Sequence, residues 1–269
     1  MPSRTLRAVA RHTPSRVKSL LRSEFPPIPS AFDHHDQSTA AWSIVKDQTM
    51  LPEIRVRMLY ELATYCEHVG LQGDFVECGV WKGGAVATMA IANLQHGGSR
   101  RRLHLFDAFD NICEPDPTLD GPDVINETVQ VLGRSDFTGR LAAMPGAYDH
   151  LGGHGTVEAC RRLLCERVGY PEDLVEFHVG WFQHTVPPVT VDRSIQAIAL
   201  LRLDGDYYAS TRTCLDGLFD LVVPGGVVIV DDYGAYEGCR RAVHDFFDER
   251  GLRPFLHYTD HICRYWIKS

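Results

Sequence analysis

The chain has 269 residues, 44% apolar and 23% charged, with 27 basic against 35 acidic side chains and a formal net charge of −8. That apolar share supports a true core and excludes a wholly disordered chain. No stretch approaches the roughly 18 apolar residues that cross a bilayer, and the acidic balance argues against a general nucleic-acid binder. The length fits one large domain, or one domain with appendages.

The charge is unevenly placed. Six bases (Arg4, Arg7, Arg11, Arg16, Lys18 and Arg22) precede the first acid, Glu24, which leaves 21 bases against 35 acids, or −14, on the remainder. Such a start reads as a transit peptide, as a basic amphipathic helix that lies on a partner or an anionic surface, or as a solvated terminus. It has no apolar h-region, which argues against a secretory signal. Residues 24–40, with Pro26, Pro27 and Pro29, read as a linker. The expected organisation is an arm and linker over 1–40 and one domain over 41–269.

Eight cysteines are present: Cys66, Cys78, Cys113, Cys160, Cys165, Cys214, Cys239 and Cys263. None forms a CxxC pair, which argues against a zinc ribbon. Most sit in apolar runs, where a free thiol packs as a small hydrophobe. This usage favours a reducing compartment, and the cytoplasm is the expected location.

From Asp47 to Val69 the residues Met50, Ile54, Met58, Leu59, Leu62 and Val69 recur at helical spacing. Short apolar runs then alternate with helical stretches. Strands are expected at Asp74–Cys78, Leu103–Asp107, Val175–Val179, Ile195–Leu203, Gly226–Val230, Pro254–Tyr258 and Ile262–Ile267. Helices are expected at Gly84–Leu94, Val157–Val168, Ser210–Leu221 and Glu237–Arg250. This alternation indicates an α/β fold, a mostly parallel sheet with helices on both faces. No helical run separates the last two strands, so they should form an antiparallel hairpin. Residues 111–155, rich in proline and glycine, read as a weakly structured excursion, a lid or substrate-binding insertion over the carboxyl edge of the sheet.

Four stretches carry chemistry. In GDFVECGVWKGGAVATMA (73–90) a strand runs into Gly79, Gly83 and Gly84 and then a helix. Such a turn lets backbone approach a ligand, or simply packs a strand closely on a helix. Its spacing is not the dinucleotide fingerprint GxGxxG, and Glu77 suits a cationic amine better than a pyrophosphate. In LHLFDAFD (103–110) Asp107 ends the second strand, where an acid commonly accepts ribose hydroxyls. The competing reading is a turn or cap residue.

LLRLDGDYYAST (200–211) ends a buried strand in Asp204 and Asp206, and VVIVDDYG (227–234) ends the next in Asp231 and Asp232. If the two strands are neighbours, four acids crowd one site, and their repulsion raises some pKa values. A divalent cation resolves that conflict, and hard oxygen ligands suit Mg²⁺, with Ca²⁺ or Mn²⁺ as substitutes. The competing reading has Asp204 and Asp231 cap the following helices. Finally, Trp181 and Phe182 follow the third strand and either flank an adenine ring or belong to the core. His261, between the last two strands, is a lone histidine near the sheet edge.

At these residues the chain resembles the macrocin O-methyltransferase (TylF-type) family. The matching stretches are DQTM (47–50), GDFVECGVWKGG (73–84), GWFQHTVP (180–187), LLRLDGDYYAST (200–211), PGGVVIVDDYGAYEGCRRAV (224–243) and RYWIK (264–268). The resemblance implies a Rossmann-like class I methyltransferase fold, with seven strands and the last antiparallel. It implies S-adenosyl-L-methionine and Mg²⁺ as cofactors and a hydroxyl of a sugar or glycosylated natural product as acceptor. It matches Asp204, Asp231 and Asp232 to metal ligands and Asp206 to the general base. Glu77, Gly79, Gly83 and Asp107 match the cofactor site, joined by Trp181 and Phe182, while Thr49 and Met50 lie in a segment that closes over the cofactor. The family's DSFEG-like loop reads Asp107-Ala108-Phe109-Asp110-Asn111 here, and 111–155 looks longer than usual. A small-molecule acceptor is the expected partner, without nucleic acid or a membrane span, and a homo-oligomer is left open. The rival readings are a metal-dependent glycosyltransferase using Asp204-x-Asp206, a non-catalytic scaffold of the same fold and, last, a nicotinamide dehydrogenase.

Overall fold

The structure, a computed structural model, describes residues 33–269. The basic stretch 1–23 and the prolines at 26–29 lie outside the described residues. Asp36–Ser269 forms one compact unit. Its sheet has seven strands in the order β3-β2-β1-β4-β5-β7-β6. These are β1 (Asp74–Cys78), β2 (Leu103–Asp107), β3 (Val175–Val179), β4 (Ile198–Leu203), β5 (Val222–Val230), β6 (His257–Tyr258) and β7 (Arg264–Ile267). The first five pair in parallel, and β7 runs antiparallel to both its neighbours. The expected class I architecture and the closing hairpin are both present.

Parallel strands covered on both faces need apolar residues at nearly every position. Alternation then divides them between two cores. Phe75, Leu103, Leu105, Val227 and Ile229 pack on one face. Helices α1 (His35–Val45), α2 (Glu53–His68) and α3 (Gly84–His96) supply much of that core. Val76, Cys78, Phe106, Val228 and Val230 pack on the other face. There they meet α6 (Phe182–Val191), α7 (Tyr208–Leu218) and α8 (Glu237–Arg250). All eight cysteines are free, and seven are buried.

Four readings need correction. Residues 35–40 are not linker, because α1 begins at His35. The excursion at 111–155 is not weakly structured. It holds α4 (Pro122–Leu132), started by a proline in its first turn and ended by Gly133 in the left-handed region. It also holds a bridge between Cys113 and Ala143 and a short 3₁₀ turn at Asp149–Leu151. Helix α6 was not anticipated, because Pro187 and Pro188 lie inside it and proline removes an intrahelical donor. The expected helix at 157–168 divides into α5 (Val157–Arg161) and a π-turn (Arg162–Arg167).

At one edge of the sheet, His104 Nδ1 lies 3.0 Å from His178 Nε2, and His178 stacks on Phe106 with centroids 4.0 Å apart. Burial, with His104 beside it, holds His178 down to about 4. The unfolded side chain titrates near 6.5, so this stability is present above pH 6.5 and is lost as pH falls toward 4. Discounted for partial exposure, the loss between pH 7 and 5 should be about 1 kcal/mol. Thermal melts of His178→Phe should show a flatter pH dependence than the parent; identical slopes would remove His178 from the account.

Candidate active site

Strands β4 and β5 are neighbours in register, with Leu203 opposite Val230. Their carboxyl ends therefore deliver Asp204, Asp231 and Asp232 side by side. One carboxylate oxygen from each lies within 4.8 Å of the others. Burial and mutual repulsion raise Asp204, and push Asp232 and Asp206 well above the ordinary carboxylate range. The Asp206 backbone adopts φ +58° and donates its N–H to Asp232 Oδ2 at 3.2 Å. Left-handed backbone is uncommon outside glycine, and aspartate tolerates it better than most residues.

Two arginines face this cluster. Arg202, 2% exposed near the carboxyl end of β4, donates to Glu77 and, at 2.9 Å, to Asp204 Oδ2. Its Nη2 lies 2.9 Å from Asp231 Oδ1. Arg55, from the first turn of α2, reaches Asp231 Oδ2 at 2.6 Å and Asp260 Oδ2 at 2.7 Å. Asp260 is held in turn by the backbone N–H groups of Ile262 and Cys263, both at 2.8 Å. Sequence reasoning missed Arg55, Arg202 and Asp260. Arg202 had a signal, a charge inside the apolar run LLRL that burial tolerates only when paired. Nothing local in the sequence links Arg55 to a carboxylate 176 positions away.

The donor set fits a small divalent cation. Three hard carboxylate oxygens converge, and among the described residues the ion pairs of Glu77, Asp204 and Asp231 are with Arg55 and Arg202. The cap reading fails for Asp204, because α7 begins at Tyr208 with Tyr207 at its N-cap position and no side-chain cap. It fails for Asp231 as well, because α8 begins at Glu237 with no side-chain cap.

Beside the cluster lies the glycine turn. Gly79 has φ +89°, and a Cβ there would sit 1.7 Å from the Asp204 carbonyl oxygen. The turn and the metal-type loop are thus in backbone contact that only glycine allows. Gly83, φ +88°, caps α3. Gly84 packs on the 46–52 segment, where a Cβ would lie 2.7 Å from Thr49 Cβ. Asp107 accepts from Val80 N at 2.7 Å and Trp81 N at 3.0 Å through Oδ2, and from Phe109 N at 2.7 Å through Oδ1. It ties the turn together, as the turn reading holds, and it also borders the cleft. Glu77 lies beneath the turn, 1% exposed, with Oε2 lacking a partner. Burial pushes it up to about 8, against the pull of Arg202.

One cleft brings together Gly79, Asp107, Trp181, Phe182, Asp204 and Asp206. Trp181 and Phe182 are partly buried against the cores as well as lining it, so both readings of that pair hold in part. A smaller adjoining space adds Met50 and Trp81. A third cleft of about 670 Å³ opens on the other side of Asp206, between Glu127, Val131, Leu132, Met144 and Tyr236. Thr49, Glu77, Gly83, Asp231 and Asp232 border none of the three. His261 does not join the site: it is exposed at the β6–β7 turn, and its carbonyl accepts from Arg264 at 3.3 Å.

This geometry belongs to a class I methyltransferase fold, and the comparisons with known proteins specify it. The macrocin-O-methyltransferase (TylF) family matches residues 19–134 and 160–268. A curated relative from Streptomyces olivaceus, 8-demethyl-8-(2,3-dimethoxy-alpha-L-rhamnosyl)-tetracenomycin-C 4'-O-methyltransferase, is 34% identical over 73% of this chain and 66% of its own length. Mycinamicin III 3''-O-methyltransferase of Micromonospora griseorubida is 28% identical over 82% of this chain and 78% of its own length. The solved O-methyltransferase NovP superposes with a TM-score of 0.66 at 28% identity, covering 82% of both chains. The chain belongs to the macrocin O-methyltransferase family, whose members are S-adenosylmethionine-dependent O-methyltransferases. Among the described residues no helix is long and apolar enough to cross a membrane.

Proposed function

We propose that the chain transfers the methyl group of S-adenosylmethionine to a sugar hydroxyl of a glycosylated natural product, in a Mg²⁺-dependent reaction. One observation carries this reading: three strand-end carboxylates converge within 4.8 Å of one another, beside a cleft that runs from Gly79 and Asp107 to Asp206. The named activities of the curated relatives, sugar O-methylations among them, support the acceptor class. Eight free cysteines are in keeping with action in the cytoplasm.

Asp204, Asp231 and Asp232 would hold the cation, and Arg202 and Arg55 orient two of them. The bound metal supplies Lewis acidity, which lowers the pKa of a hydroxyl far too weak as a nucleophile at neutral pH. Gly79, Asp107, Trp181 and Phe182 would hold the donor, with Glu77 beneath the glycine turn as the acid that would serve its amine. Gly83 opens α3, and Thr49 and Met50 close the segment above. Asp206 takes the acceptor's proton as the oxygen–methyl bond forms and the sulfonium–methyl bond breaks. Asp206 lies two residues beyond Asp204 and lines the same cleft, which puts it within reach of an acceptor bound there. Residues 111–155 form the acceptor wall.

Calorimetry separates this from the glycosyltransferase reading: S-adenosylhomocysteine should bind and uridine diphosphate should not. Mass spectrometry should then find a 14-Da gain on one of the relatives' acceptors, presented as a set: the rhamnosyl tetracenomycin and mycinamicin III. Binding of uridine diphosphate alone would reverse the assignment.

A further inference from the structure

Residues 135–159 fall in the gap between the two matched stretches of the family, yet they are built firmly onto the site. Trp81 Nε1 donates to the Gly153 carbonyl at 3.1 Å, and Lys82 Nζ to the Leu151 carbonyl at 3.1 Å. Gly155 lies so close to the glycine turn that a Cβ there would sit 1.6 Å from the Trp81 carbonyl oxygen. The Tyr148 carbonyl accepts from both Leu151 N and Gly153 N at 2.9 Å, which folds the stretch back on itself. These contacts aim the Tyr148 side chain inward. It borders the donor cleft, the smaller space beside Met50 and the third cleft. Among the described residues, only Asp206 shares all three.

We propose that Tyr148 is an acceptor-contacting, specificity-determining residue: its ring separates donor from acceptor, and its hydroxyl donates to an oxygen of the acceptor next to the one methylated. This rests on the methyl-transfer reading above. The polar groups around the junction are mostly carboxylates, which accept; Tyr148 offers a donor, and among the described residues no group takes its hydrogen bond. Burial and the nearby Asp206, Asp107 and Asp204 push the phenol well above 10, so its proton is retained. With Asp206 on one side and Tyr148 on the other, one oxygen of a vicinal pair is steered to the base while its neighbour is held.

The test uses the full-length protein with Mg²⁺, S-adenosylmethionine and whichever glycoside of the above set turns over fastest. Tyr148→Phe, which keeps the ring, should raise the acceptor KM about 3- to 10-fold, the worth of one hydrogen bond. Its kcat and its affinity for S-adenosylhomocysteine should stay within about twofold by the same measure. Tyr148→Ala should in addition yield a second positional isomer of the product. An unchanged KM and a single product in both variants would overturn the inference, as would weaker S-adenosylhomocysteine binding with no change in acceptor KM. Failure of the parent protein to bind S-adenosylhomocysteine overturns the underlying reading instead, and with it this one.

Discussion

Asp204→Asn should lower methyl transfer by on the order of 10³-fold while leaving the fold and S-adenosylhomocysteine binding nearly intact. The substitution keeps shape but removes one of three convergent carboxylates. Electrostatic groups aimed at the reacting centre are worth several kcal/mol, at 1.36 kcal/mol per tenfold. The loss should appear in kcat and not in donor affinity, because the cleft wall of Gly79 and Asp107 is untouched. It should also abolish any response to added Mg²⁺. Stability should hold or rise, since burial and like charges already work against an ionised Asp204. A variant with parental kcat would remove Asp204 from the chemistry.

Arg202→Met should destabilise the protein by about 3–5 kcal/mol, the expected cost of stripping one partner from a buried ion cluster. Arg202 meets Glu77, Asp204 and Asp231 at once and is 2% exposed. Without it, three buried or half-buried carboxylates lose their shared counter-charge. Glu77 responds most simply, by keeping its proton, because burial already pushes it up to about 8. The paired variant Arg202→Met, Glu77→Leu should therefore recover part of the loss in urea melts. If the single variant is as stable as the parent, the network does not hold the site together.

The sheet was legible because its inner strands are mostly apolar runs, and those of β2, β4 and β5 end at acids. Val227 to Val230 are buried and wholly apolar, and the charges inside β1 and β4, Glu77 and Arg202, are buried as a pair. The first three expected strands agree with the structure to the residue, and the adjacency of β4 and β5 converts two sequence motifs into one acid cluster. The edges were less legible. Strand β6 is only two residues long, too short for periodicity to mark. Helix α4 was hidden by the prolines around it, although Pro122 is in fact its starting residue. Helix α6 was hidden by prolines it tolerates. In the site, the acids announced themselves and their counter-charges did not. Arg55 is brought to Asp231 by the docking of α2, and Tyr148 by backbone contacts with Trp81 and Lys82. Long-range placement of this kind leaves no local mark in a sequence.

One measurement tests most directly whether the acid cluster serves methyl transfer. The full-length protein is given methyl-labelled S-adenosylmethionine and the relatives' glycosides, first with Mg²⁺, then with EDTA, then with Mg²⁺ restored in excess. Label should move to the glycoside oxygen with the metal, stop with the chelator and resume on restoration. Label transfer that continues undiminished in EDTA would contradict the account, as would no transfer to any hydroxyl by a protein that binds the donor.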